Sequence, residues 1–200
     1  MSGELYFDEA EHRYTVDGRV IPSVTQIISA VGLYEFDFVS SDTLAVAAER
    51  GRHVHTMIEL FEQGELDFNT IDPELQGYFD AYLEVKKVGL LPAHPIRIEY
   101  RAWSEKYQYA GTIDQEFDEG WLNDHKTGSK SPVHGLQLSA YWLMLHPDMK
   151  FKPKKLTCDY LSRDGSYEVV EYPYEPLPWL AVLTDYHWRL KNNCVRSRWK

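Results

Sequence analysis

Residues 111–141 read GTIDQEFDEGWLNDHKTGSKSPVHGLQLSAY, and the placing of charges in that stretch decides the fold. Asp114 closes GTID, Asp124 and Lys126 frame D-H-K, and Gln137 and Tyr141 sit four apart in QLSAY. Trp121–Lys126 follows the turn Asp118-Glu119-Gly120 and reads as a strand. Side chains two apart on a strand share a face, so Asp124 and Lys126 point the same way. Tyr109–Phe117 is the expected preceding strand, and it brings Asp114 up beside Asp124. Two carboxylates and an ammonium on adjacent strands are costly unless something pairs them. A hard divalent cation with oxygen ligands, such as Mg²⁺, does so.

GTID, then D-x-K ten residues after its Asp, then Q-x-x-x-Y on a helix, resembles the PD-(D/E)XK nuclease superfamily, most closely its RecB-like branch. Ile113 stands where the superfamily name has Pro, a residue often absent in that branch. Two upstream segments extend the likeness. Y-x-V-D-G followed by PSVTQI is similar to the start of small phage exonucleases and of the mitochondrial genome-maintenance exonuclease. G-x-x-x-H-x-x-x-E, with His55 and Glu59, is similar to the first motif of RecB-like nucleases, where the His is a metal ligand.

The composition is that of a globular chain. Two hundred residues suit one domain with a proper core, and 44% are hydrophobic and 14% aromatic. Some of the 14 Tyr and 6 Trp have faces that could stack on bases. No apolar run approaches membrane-spanning length, and the N-terminus is acidic, without a signal-peptide core. Two cysteines, Cys158 and Cys194, are too few for a disulfide scaffold or a four-cysteine cluster, so a reduced cytoplasmic compartment is expected. The net charge of -10 opposes nonspecific nucleic-acid binding. Carboxylates gathered at a metal site account for part of it. Basic residues cluster at 126–130, 150–155 and 189–200.

The remaining pattern is regular. Residues 5–21 read as a hairpin turning at Asp17-Gly18. Ser23 and Gln26 form a capping box for a short helix that Gly32 stops. Ser40 and Ser41 cap a long helix to Gln63, with Gly64 past its end; His55 and Glu59 share one face of it. Asp72-Pro73 is the expected start of the next helix, whose core face is Leu75, Tyr78, Phe79, Tyr82 and Val85. Ile96, Ile98, Tyr100 and Ala102 alternate as a strand with Glu99 on its opposite face. Pro132 opens an amphipathic helix, strands follow at Lys155–Leu161 and 167–172, and a last helix over 178–193 buries Leu180, Leu183, Tyr186, His187 and Leu190. The basic tail RSRWK is expected to be mobile.

The resemblance covers nearly the whole chain. It implies a mixed α/β fold with a restriction-endonuclease-like core, a central mixed sheet flanked by helices and an N-terminal hairpin, in one domain over 1–200. The implied activity is Mg²⁺- or Mn²⁺-dependent hydrolysis of DNA phosphodiesters. Asp114, Asp124, His55 and the His125 carbonyl would hold the metal, with Glu59 beside them and Glu99 a minor candidate. Lys126 would orient or deprotonate water or neutralise a phosphate oxygen, Gln137 would position Lys126, and Tyr141 would seat the strand. Ser23 and Thr25 would touch a phosphate at the helix N-terminus. Without a helicase part or a sequence-reading module, an exonuclease on single-stranded or free-ended DNA is favoured, in phage or genome recombination, replication or repair, with a phage recombination or single-strand-binding protein as partner. A structure-dependent endonuclease and a non-catalytic DNA-binding or assembly protein on the same fold are the alternatives.

Overall fold

The computed structural model describes residues 3–9, 11–34 and 41–195. Strands β1 (Leu5–Asp8), β2 (Arg13–Val16) and β3 (Arg19–Ile21) form an antiparallel meander, one strand more than the expected hairpin. Asp17 and Gly18 have φ of 49° and 77°, the paired positive values of a two-residue hairpin turn. Helix α1 (Val24–Val31) carries the full capping box between Ser23 and Gln26, and Gly32 ends it at φ 84°. Helix α2 spans Ser41–Gln63, and Gly64 follows it at φ 75°. The cap expected from Ser40 and Ser41 lies outside the described residues and side chains, as does the tail at 196–200.

Helix α3 spans Gln76–Lys87, three residues after the expected start. The Asp72 carboxylate accepts from the Glu74 N–H at 2.8 Å and its carbonyl accepts from the Leu75 N–H, so Asp72-Pro73 makes a separate turn. A five-stranded sheet follows in the order β4 (Arg97–Ser104), β5 (Tyr109–Phe117), β6 (Trp121–Lys126), β7 (Lys155–Leu161), β8 (Tyr167–Glu171). Its pairs are antiparallel except β6–β7, which are parallel and joined through α4 (Pro132–Leu145). This is the mixed sheet flanked by helices that the sequence predicts.

The sheet separates two cores. On one side α1, α4 and α5 (Pro176–Lys191) pack on Ile113, Leu122, Leu156 and Cys158. On the other, α2 and α3 pack on Phe117 and Leu161. Helix α4 is buried almost all round, not amphipathic, because it lies between the sheet and α5. Helix α5 starts two residues early and buries Trp179, Leu183 and Tyr186; His187 and Leu190, expected inside, are exposed.

Candidate functional site

Strand β6 pairs with β5 through Gln115↔Asn123, a register that sets Asp114 opposite Asp124. The ladder stops short of that pair: the Asp114 carboxylate accepts from the His125 N–H at 2.7 Å instead. Lys126 is ion-paired with Asp124, which confirms that the two share a face. Gln137, one turn into the buried helix, donates to Asp124 Oδ1 at 3.0 Å and to the Tyr141 hydroxyl at 2.9 Å. Gln137 thus touches Asp124, whereas the resemblance places it beside Lys126. Its Oε1 is buried without a partner.

Helix α2 brings His55 onto this group. Its Nε2 donates to the His125 carbonyl at 3.0 Å, while its Nδ1 lies 3.3 Å from Glu99 Oε1 and 3.4 Å from Asp114 Oδ2. One ligand atom from each of His55, Glu99 and Asp114 lies within 4.8 Å of the other two. Glu99, only a minor candidate from the resemblance, is therefore central. It holds φ 45° in mid-strand, and its place on β4 falls opposite Asp114 in the register. Glu59 lies outside this cluster and accepts from Gln63 at 3.2 Å; Glu99 contributes to raising its pKa, after burial.

The electrostatics follow from crowding. Burial, then Asp124 and Glu99, push the Asp114 carboxyl up, with His55 opposing. Burial alone would lower the His55 pKa, but Asp114 and Glu99 override it and raise it. Burial likewise works against the Lys126 ammonium, and Asp124 more than offsets it, so Lys126 stays firmly cationic. The site is thus a knot of carboxylates held together by one imidazolium and one ammonium. A set of hard oxygen donors with one imidazole suits a divalent cation. The unpartnered Gln137 Oε1 leaves room for one more donor at the site.

Ser23 is buried and its hydroxyl is occupied: it accepts from the Gln26 N–H and bonds Thr25 Oγ1 at 3.1 Å. It bridges to Ala110, four residues along β5 from Asp114, or about 13 Å by strand rise. The α1 N-terminus therefore lies away from the carboxylates. Sequence reasoning overlooked the opposite side of β6, where Asn123, Asp159, Thr157 and Gln115 are all buried. The available signal was Thr157 and Asp159 alternating with Cys158 and Tyr160 in a strand bounded by apolar residues.

No family model and no curated protein matches the chain. Among the described residues, no helix is long and apolar enough to cross a membrane. The fold is similar to that of an Eubacterium rectale protein named "Putative exonuclease": the TM-score is 0.53 at 7% identity, covering 74% of this chain and 69% of that one. At that identity the likeness is one of fold, and the fold is one that a protein named as a nuclease also adopts.

Proposed function

We propose that residues 1–200 act as one nuclease domain that hydrolyses DNA phosphodiesters from free ends with Mg²⁺ or Mn²⁺. The observation that carries this reading is the gathering of His55, Glu99 and Asp114 within 4.8 Å, beside the Asp124–Lys126 pair. Those carboxylates, His55 and the His125 carbonyl would hold the cation, which when bound supplies Lewis acidity toward a phosphate oxygen. Asp124 is anchored by Gln137, and Gln137 by Tyr141. Lys126, held as an ammonium, donates to a phosphate oxygen or orients the attacking water and stabilises the charge that develops on the phosphorane. The likeness in fold to a protein named as an exonuclease, and the resemblance of the motifs, favour free ends as the point of attack.

The test is digestion of end-labelled linear and closed circular single-stranded DNA, with Mg²⁺ or with chelator. Loss of the linear substrate with Mg²⁺ alone is expected. Efficient cutting of circles would instead assign a structure-dependent endonuclease, and undiminished cleavage in chelator would remove the metal from the chemistry.

A further inference from the structure

On the side of β6 covered by α2 and α3, buried polar side chains run through the core. Tyr82 of α3 donates to Glu62 of α2 at 2.5 Å and accepts from Gln115 at 2.7 Å. Asn123 accepts from Thr157 at 2.8 Å and donates to Asp159 Oδ1 at 2.9 Å. Asp159 then takes His125 Nδ1 on both oxygens, at 2.7 and 2.9 Å. Asp159 is 0% exposed and His125 2%. The other ring nitrogen of His125 is buried with no partner. A buried carboxylate against a buried imidazole is weak evidence of a stabilising role, since apolar residues of similar volume often do as well. The pair therefore calls for another role.

The main chain of His125 supplies one. Its N–H holds Asp114 at 2.7 Å and its carbonyl holds His55 at 3.0 Å. A small roll of β6 about its own axis would move both contacts together. The His125 ring lies on the α2/α3 side of the sheet, edge-on to His55 at 5.7 Å between ring centroids, and the bidentate grip of Asp159 there resists that roll.

We propose that Asp159 and His125 are positioning residues: Asp159 grips the His125 imidazole beside His55 and so fixes the main chain that holds Asp114 and His55. This rests on reading the site as a divalent-metal centre. Partners one layer behind metal ligands commonly change affinity by about 10- to 100-fold when removed.

The experiment is a Mn²⁺ titration, by calorimetry and electron paramagnetic resonance, of the wild type, His125→Ala, Asp159→Ala and the double variant. His125→Ala keeps both main-chain groups but removes the ring beside His55 together with the lever, whereas Asp159→Ala keeps that ring and removes only the grip. Each single variant is expected to weaken Mn²⁺ binding by about tenfold or more. The double variant should stay within about twofold of the weaker single, because both act through one contact. Asp159→Asn, which keeps an oxygen for His125 and Asn123, should recover part of the loss. Single variants leave one member of the buried pair without the other, so either can unfold; the double removes both, leaves the Asn123 amide only its 3.5 Å contact to Gln115, and its affinity then decides. Wild-type affinity in the variants, or additive losses in the double, would overturn the proposal while leaving the metal site intact. A double variant that does not fold would assign the pair to stability and overturn it too. A wild type that binds no Mn²⁺ would remove the metal reading and this inference together.

Discussion

Glu99 holds φ 45° in the middle of β4, a conformation that a residue with a Cβ adopts at a cost of about 1–3 kcal/mol. That backbone turn sets its carboxylate against His55 and into the carboxylate cluster. Strand alternation could not show this, because alternation assumes the ordinary strand conformation at each residue. Strain at a site residue gives a clear expectation. Glu99→Gly and Glu99→Ala both remove the carboxylate, but only glycine relieves the backbone. After the entropy of glycine is counted, Glu99→Gly should be the more stable by about 1 kcal/mol in urea unfolding, with metal affinity reduced in both. An alanine variant as stable as the glycine variant would show that the backbone is not strained there.

The glycine of GTID has its reason one element away. A Cβ built at Gly111 on β5 would stand 2.6 Å from Tyr141 Cε1 on α4, so these two motif residues meet in space. Tyr141 is buried and has little room to yield. Gly111→Ala should destabilise by about 1–3 kcal/mol and slow cleavage by displacing Tyr141 from Gln137. The stability loss should shrink in a Tyr141→Ala background; an equal loss in both backgrounds, measured by denaturant unfolding, would contradict the packing account. The same strand shows what was legible and what was not. The bounds of β5, β6 and β7 were readable because an acidic-Gly turn and short β-rich runs are local signals. The pairing of Asp124 with Lys126 was readable because it needs only the two-residue period. The roll of β5 was not. Ile113 packs with the α4 core whereas Gln115, two residues on, bonds Tyr82 of α3, so the strand changes face at Asp114. Nor could His125, Asp159 and Asn123 be told from solvated residues until their strands were known to lie at the centre of the sheet. The offset of α3 has a similar origin: Asp72 was read as a helix cap but closes its own turn.

Among the described residues, each basic cluster is matched in part by carboxylates. Lys130 pairs with Glu168, Lys150 with Asp148, Lys154 with Glu119, and Arg189 with Asp185. With a net charge of -10, these cations are poorly placed to hold a long phosphate track. DNA binding should therefore depend weakly on salt. Neutralising about two phosphates on a single strand predicts less than about a tenfold loss of affinity between 50 and 200 mM salt. A loss of a thousandfold, by fluorescence anisotropy, would reveal a basic surface. The central claim is that Asp124 belongs to a metal site and Lys126 to the chemistry beside it. The most direct measurement is metal titration with single-turnover cleavage of linear DNA by Lys126→Ala and Asp124→Ala. Lys126→Ala should bind metal nearly as the wild type does and cleave at least about a hundredfold more slowly, whereas Asp124→Ala should lose both. Cleavage by Lys126→Ala at the wild-type rate would reduce D-x-K to a chance pair of strand residues and contradict the nuclease reading.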